Sequence, residues 1–164
     1  MISAIIYATD LGLYSSYVLQ HAVALARSFR AELHVVHAVQ PMGLFAESVL
    51  QSYLDEQSLE KLKTGGLDTV MASIEQRVLE GFKEELDDSE DDMRLIASVN
   101  VVQGDPSSVI LAQAQSCRAD LVVIGSHSHG VDVAAPLGRT AAKVLQLATV
   151  PVYLVPMFEH RRPH

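Results

Sequence analysis

Short apolar segments typical of buried strands alternate along this chain with longer segments whose apolar residues recur at helical spacing. Residues 3–10, 32–39 and 121–125 are short apolar runs rich in β-branched side chains. A strand that is apolar on both faces is typical of a parallel sheet that helices cover on both sides. The alternation of such strands with helices therefore predicts an α/β domain built on a parallel sheet.

The helices are marked by apolar stripes and by a start signal. Residues 15–29 place two series of apolar side chains on one helical face, and residues 67–82 repeat this pattern. Asp105 followed by Pro106 predicts a helix start, because the Asp side chain accepts an unpaired backbone N–H and proline has none to pair. A last helix is predicted over residues 137–147. Its side chains predicted to face the sheet are Ala141, Val144, Leu145 and Ala148.

Two more strands complete the predicted sheet, and two segments interrupt the pattern. Residues 94–102 and 150–155 predict the third and fifth strands. Residues 44–63 mix apolar and acidic side chains, which predicts a partly helical insert. Residues 84–92 carry seven of the twenty acidic residues and predict a solvated connection into the third strand.

Composition excludes several classes of protein. The chain has 164 residues, 49% of them hydrophobic, which is typical of one domain with a substantial core. Cys117 is the single cysteine, so an internal disulfide or a cysteine-rich metal site is excluded, which favours an intracellular compartment. The net charge of −8 opposes broad attraction to nucleic acid or anionic lipid. No apolar run reaches the roughly 18 residues of a membrane helix. We therefore expect a cytoplasmic protein without nucleic-acid or membrane partners.

The carboxyl ends of the predicted strands are the expected ligand site. In an open α/β sheet, ligands bind beyond these ends, at the point where strand order reverses. The fourth strand runs into a loop rich in Gly, Ser and His at residues 125–130, and the last helix follows Gly138. The backbone amides of such a loop and the positive end of a helix dipole are groups that bind phosphate.

Five segments of the chain carry a family resemblance: YATD at 7–10, AELHVVHAV at 31–39, VVQGDPSSVIL at 101–111, ADLVVIGSHSHGVDVAAPLGRTAAKVL at 119–145, and VPVYLVP at 150–156. In these segments the chain resembles the universal stress protein (UspA-like) family. The resemblance implies a Rossmann-like adenine nucleotide alpha hydrolase-like fold, with a single open sheet of five parallel strands in the order 3-2-1-4-5 and helices on both faces. It also implies a universal stress protein domain over residues 1–157, followed by a polar tail over 158–164.

The glycine loop matches the family motif in length but not in every residue. Nucleotide-binding members carry Gly, two residues, Gly, nine residues, Gly, then Ser or Thr, and this loop holds the phosphates of ATP. Gly125 and Gly138 match the first and third glycines. Ser128 stands at the second glycine, and Arg139 stands at the Ser or Thr position. These two departures bear directly on nucleotide binding.

Two functions follow from these departures. Gly130 follows Ser128 by two residues and is close enough to take the role of the second glycine of the motif. Thr140 offers a hydroxyl one residue after the position where the motif has Ser or Thr. Arg139 either clamps a phosphate or fills the pocket. The resemblance thus implies a stress-response regulator that binds ATP or another adenine nucleotide, with Mg²⁺ as companion ion. The alternative is a nucleotide-free member that acts through protein clients, with Arg139 closing the pocket. The binding residues implied are Ala8, Thr9, Asp10, Ala38, Gly125, Ser126, His127, Ser128, Gly130, Gly138, Arg139 and Thr140.

Catalysis, metal binding and assembly give three further expectations. No Walker loop or hydrolase motif is present, so at most slow ATP hydrolysis is expected. His127 and His129, with His37 or Asp132, are a weak metal signal, and a polar pocket mouth without a metal is expected. An edge strand exposes unpaired backbone groups, and the resemblance implies a homodimer that pairs residues 150–155 of two copies.

Overall fold

The computed structural model describes residues 1–12, 14–40, 55–57, 67–87, 89–127 and 137–157. The described residues form one sheet of five parallel strands in the order β3-β2-β1-β4-β5. The predicted fold class and strand order are therefore confirmed. In chain order the elements are β1 (Ala4–Ala8), α1 (Ser15–Phe29), β2 (Glu32–Val39), α2 (Leu67–Glu85), α3 (Glu90–Leu95), β3 (Ile96–Gln103), α4 (Pro106–Ser116), β4 (Leu121–Gly125), α5 (Arg139–Leu147) and β5 (Val152–Val155).

Strand β1 is buried on both faces and divides the core in two. Ile5 and Tyr7 lie in a cluster with side chains of α1 and α2, whereas Ile6 and Ala8 lie in a second cluster with side chains of α4 and α5. Successive side chains of a strand point to opposite faces, so a strand covered on both sides is apolar at every position. The molecule thus has three layers, with the sheet in the middle.

Helix α1 covers the predicted range because its apolar residues share one stripe. The buried side chains of this stripe are Val18, Leu19, Ala22, Val23 and Ala26. The helix ends at Arg30, which has the left-handed conformation at φ 53° and donates its backbone N–H to the carbonyls of the preceding turn. This turn leads directly into β2, which also covers its predicted range.

The prediction for the acidic segment is partly wrong. Glu90–Leu95 form the short helix α3, and β3 begins at Ile96 instead of residue 94. The hydroxyl oxygen of Ser89 accepts the backbone N–H of Asp92 at 3.4 Å and caps the helix. Three acidic side chains also lie in the first turn, where their negative charges interact favourably with the positive end of the helix dipole. Residues that suggested a solvated connection therefore stabilise a helix start.

The connection from β3 to α4 is built as predicted. Asp105 caps the helix: its Oδ2 accepts the hydroxyl of Ser107 at 2.7 Å and the backbone N–H of Ser108 at 3.1 Å. Pro106 occupies the first turn, where its missing N–H leaves no bond unmade. The hydrogen bonds from Ser107 and Ser108 hold the pKa of Asp105 below its usual value.

Several other boundaries and one side chain differ from the prediction. β1 ends at Ala8, β5 begins at Val152 and α5 begins at Arg139. Leu145 is 41% exposed and does not face the sheet as predicted. It follows the buried Val144 by one residue, and one residue rotates a side chain about 100° around a helix of 3.6 residues per turn.

Several predictions fall outside the described residues. These are the insert over 44–63, of which only 55–57 are described, the loop over 128–136 and the polar tail over 158–164. The domain boundary after residue 157 therefore stays a prediction. Within the described ranges, none of the helices is long and apolar enough to span a membrane.

Candidate ligand-binding site

A cavity of about 260 Å³ opens at the carboxyl edge of the sheet. Its lining includes the ends of β1 and β4. From β1 the sheet continues through β2 and β3 on one side and through β4 and β5 on the other, so the strand order reverses between β1 and β4. The ends of β1, β2 and β4 and the first turns of α4 and α5 contribute to its walls. The cavity therefore occupies the place where open α/β sheets bind their ligands.

Nine of the twelve predicted binding residues line this cavity. Arg139 is exposed and is absent from the described lining, so its side chain does not close the cavity there. Ser128 and Gly130 lie outside the described residues. The predicted residues that the structure brings together are Ala8, Thr9, Asp10, Ala38, Gly125, Ser126, His127, Gly138 and Thr140.

Short polar contacts shape the loop that follows β1. The N–H of Thr9 donates to the carbonyl of Val36 at 3.0 Å, and the carbonyl of Thr9 lies 2.8 Å from Nδ1 of His37. Because a carbonyl oxygen only accepts, Nδ1 of His37 carries the proton. Oδ1 of Asp10 accepts the N–H of Gly12 at 2.8 Å, which forms an Asx turn. These bonds place the Asp10 carboxylate at the wall of the cavity.

Ser126 joins three elements behind the cavity. Its N–H donates to the carbonyl of Val155 at 2.9 Å, and its carbonyl accepts the N–H of Gly138 at 2.9 Å. Its hydroxyl oxygen accepts the N–H of Met157 at 2.9 Å and lies 2.8 Å from Nδ1 of His127. The residue is only 5% exposed. Ser126 therefore fixes the end of β4 against the end of β5 and the start of α5.

Gly125 packs closely against two side chains at the end of β4. A Cβ atom at this position would lie 2.5 Å from Cε of Met157 and 3.4 Å from Cγ2 of Val18. The first of these distances is too short for two carbon atoms, so any side chain here would displace Met157. A side chain at position 125 therefore requires the flexible end of Met157 to move.

The first turn of α5 contributes to the cavity wall. The N–H of Ala142 makes the first bond within the helix, to the carbonyl of Gly138 at 3.0 Å. The N–H groups of Arg139, Thr140 and Ala141 precede it and have no partner within the helix. In the described part of the chain, no side chain caps this turn. Thr140 and Ala141 line the cavity, so the positive end of the helix dipole lies beside it.

Tyr7 separates the cavity from the core on the α1 side. Its ring is fully buried and packs on Phe82, with 6.3 Å between ring centroids. Its hydroxyl donates to the carbonyl of Ser15 at 2.8 Å. Burial raises the pKa of the Tyr7 phenol, so the group stays protonated and keeps this bond at neutral pH.

Sequence reasoning missed several lining residues. His37 and Gln40 stand at the carboxyl end of β2, and the rule that ligands bind at strand ends would have found them. Met157 follows β5 at the same edge of the sheet, so the same rule would have found it. The position of Ile110 on α4 depends on how that helix packs, for which the sequence has no local signal. The lining residues missed are Tyr7, Ser15, Val18, Val36, His37, Gln40, Pro106, Ile110, Ile124, Ala141 and Met157.

The described residues contain no group of three or more His, Cys, Asp or Glu side chains able to hold a metal ion. His129 and Asp132, two of the side chains in the weak metal signal, lie outside the described residues. Cys117 is half-buried against the cluster that α4 and α5 form with the sheet, and burial raises the pKa of its thiol. A raised pKa leaves little thiolate, which suits a packing role.

Solved structures with the same fold include several universal stress proteins. The hypothetical protein MJ0577 is 22% identical, with 96% of this chain and 98% of that chain covered and a TM-score of 0.69. Universal stress protein UspA from Lactobacillus plantarum is 18% identical, with 94% and 97% covered and a TM-score of 0.62. A universal stress protein in complex with cAMP is 18% identical, with 94% and 96% covered and a TM-score of 0.60.

The family assignment comes from the sequence match. Among curated proteins no sequence match to this chain is found. The family model described as "Universal stress protein family" matches residues 1–156, which is nearly the whole chain. The solved structures add the same fold at low identity. The chain therefore belongs to the universal stress protein family.

Proposed function

We propose that this protein binds an adenine nucleotide in the cavity at the carboxyl edge of the sheet and acts as a cytoplasmic stress-response regulator. The observation that carries the proposal is a cavity whose described lining combines buried apolar side chains with the first turn of α5, which no described side chain caps. A nucleotide has a flat apolar base at one end and an anionic phosphate at the other. The apolar and the polar parts of the described lining suit these two groups.

The apolar slot suits the base. Val36, Ile110 and Ile124 are buried and line the cavity. Ala8 is the last residue of β1 and Ala38 is the last but one of the neighbouring β2, and their small side chains leave room for a flat ring beside the backbone. Backbone N–H and C=O groups at such strand ends recognise the hydrogen-bonding edge of a base. In this proposal the adenine ring lies beside Ala8 and Ala38.

Polar groups of the described lining suit the ribose and the phosphate. The Asp10 carboxylate accepts hydrogen bonds, and ribose hydroxyls donate them. The first-turn N–H groups of α5 and the hydroxyl of Thr140 are donors for phosphate oxygens. The neighbour solved in complex with cAMP supports a ligand of this chemical class.

Nucleotide release and calorimetry test the proposal. Denatured preparations of the purified protein are expected to release an adenine nucleotide, identified by ultraviolet absorbance and mass spectrometry. Titration of the emptied protein is expected to give saturable heat with at least one of ATP, ADP and AMP at millimolar ligand, with and without Mg²⁺. Absence of both the released nucleotide and the saturable heat would show that the cavity has another role. Hydrolysis is at most slow in this proposal.

We also propose that the regulator is a homodimer paired through β5. β5 lies at one end of the strand order, and Val152, Tyr153 and Leu154 are half-buried. An edge strand offers unpaired backbone groups that a second copy of the same strand satisfies. Light scattering at micromolar concentration is expected to give the mass of two chains. The mass of one chain at that concentration would contradict the proposal.

A further inference from the structure

Strand β2 extends beyond the end of its neighbour β1 at the edge of the sheet that holds the cavity. β1 ends at Ala8, which pairs with Val36, whereas β2 continues to Val39 and stays paired with β3 there. The N–H of Thr9 adds one more bond between the two, to the carbonyl of Val36 at 3.0 Å. In a parallel ladder, alternate residues direct their backbone groups to the same neighbour, so Ala38 is the next residue of β2 to face the β1 side.

Two side chains bond to the loop after β1 at the places where a regular ladder would use Ala38. That ladder would join the N–H of Ala38 to the carbonyl of Thr9, and the carbonyl of Ala38 to the N–H of Leu11. Instead, the Thr9 carbonyl accepts Nδ1–H of His37 at 2.8 Å, and the Leu11 N–H donates to the hydroxyl oxygen of Thr9 at 3.0 Å. Leu11 has the left-handed conformation at φ 57°, which turns the chain away from the line of the strand. In the described part of the chain, the β1–β2 ladder thus ends before Ala38.

From these bonds we infer that His37 and Thr9 are positioning residues for the base of the ligand. They end the β1–β2 ladder and keep the N–H and the carbonyl of Ala38 for the base. The inference rests on the proposed function and names the residues that prepare its base site. All three residues line the cavity. A backbone N–H beside a carbonyl matches a base edge with an acceptor beside a donor, such as a ring nitrogen and the amino group of adenine.

Hydrogen exchange of backbone amides, followed by NMR, tests this arrangement in the unsubstituted protein. We expect the amide of Ala38 to exchange at least roughly tenfold faster than that of Val36 in the emptied protein, because Val36 lies within the β1–β2 ladder. Saturation with AMP is expected to slow the exchange of Ala38 roughly tenfold or more, because the base then accepts this N–H. An Ala38 amide that is as protected as Val36 before AMP is added, or whose exchange bound AMP leaves unchanged, overturns the inference.

Two substitutions of His37 separate the hydrogen bond from the presence of a ring. His37→Leu removes the donor to the Thr9 carbonyl and is expected to raise the Kd of AMP about fivefold, as the loss of one hydrogen bond does. His37→Asn keeps an N–H near the position of Nδ1 and is expected to stay within about twofold of the unsubstituted protein. In His37→Leu the N–H of Ala38 is able to close the ladder onto the Thr9 carbonyl, so its exchange without ligand is expected to slow.

A second matched pair tests Thr9 in the same way. Thr9 is only 7% exposed, and valine has nearly its shape, so Thr9→Val changes hydrogen bonding at constant packing. This variant frees the N–H of Leu11 to bond to the carbonyl of Ala38 and is expected to raise the Kd of AMP about fivefold. Thr9→Ser keeps the hydroxyl and is expected to stay within about twofold.

The outcomes separate this inference from the proposed function. If AMP binds with the same Kd to His37→Leu as to His37→Asn, and to Thr9→Val as to Thr9→Ser, the inference is overturned and the proposed function stands. If the unsubstituted protein binds none of AMP, ADP and ATP, both are overturned. Circular dichroism checks that each variant folds. Where a variant fails to fold, the exchange of Ala38 in the unsubstituted protein decides the question.

Discussion

The substitution Gly138→Val is expected to weaken adenine nucleotide binding by roughly tenfold or more, equivalent to about 1.4 kcal/mol. Gly138 is buried, lines the cavity and stands immediately before α5. Its backbone angles, φ −68° and ψ 156°, are ones that valine also adopts, so the substitution does not strain the main chain. The loss of affinity then comes from the bulk of a branched side chain at the phosphate end. Calorimetry with AMP measures it.

The same substitution at a remote glycine is the control for this experiment. Gly81 lies in α2, and a Cβ atom there meets nothing within 4 Å. Gly81→Val is therefore expected to leave AMP affinity unchanged. Unchanged affinity in Gly138→Val, with the fold intact by circular dichroism, would remove this part of the loop from the binding site.

Replacing Tyr7 with alanine is expected to lower the free energy of unfolding by about 3–5 kcal/mol. The side chain is fully buried on β1, packs on Phe82 and forms part of the cavity wall. Its removal loses apolar burial and leaves a void that the surrounding strands cannot close. Urea denaturation followed by circular dichroism measures the change.

The variant Tyr7→Phe distinguishes the contribution of the ring to stability from that of the hydroxyl. This variant keeps the packing of the ring and loses the hydroxyl with its hydrogen bonds, including the one to the carbonyl of Ser15, so the expected loss is about 1 kcal/mol. A loss in Tyr7→Ala no larger than in Tyr7→Phe would show that the ring contributes little to stability. That result would contradict the position of Tyr7 at the centre of the core.

Much of the fold follows from local sequence signals. α1, β2 and β4 cover their predicted ranges because each is an apolar stripe or run that ends at a clear change in composition. Asp105 and Pro106 fixed the start of α4 in the same way, since capping depends on two adjacent residues. The strand order 3-2-1-4-5, by contrast, came from the family resemblance.

The errors arise where competing signals share one segment. Around Ser89 the acidic residues suggested a solvated connection, but the same residues suit the first turn of a helix that a serine caps. Leu145 lies next to a buried residue, and apolar character alone does not place a side chain on the covered face. In both places the local sequence allows more than one arrangement, and the packing of the surrounding elements determines which one forms.

The sequence predicts well at which edge of the sheet the candidate site lies. It predicts less well which side chains line the site. The strand ends contributed Asp10, Ala38 and Gly125 because parallel strands bring their carboxyl ends together. Ile110 and Met157 come from a helix and a loop whose places depend on tertiary packing. Arg139 was placed at the pocket by its position in a motif, whereas the rotation of the first turn of α5 leaves its side chain exposed.

The two backbone bonds and two hydroxyl contacts of Ser126 have a consequence for the two proposed properties of this protein, ligand binding and pairing through β5. One residue holds the end of the edge strand β5, the start of α5 and the wall of the cavity. The ligand and a second copy of the chain would therefore act on a shared support. If the ligand and the second copy bind as proposed, substitutions of Ser126 are expected to change ligand affinity and dimer stability together, because the same hydrogen bonds support both places.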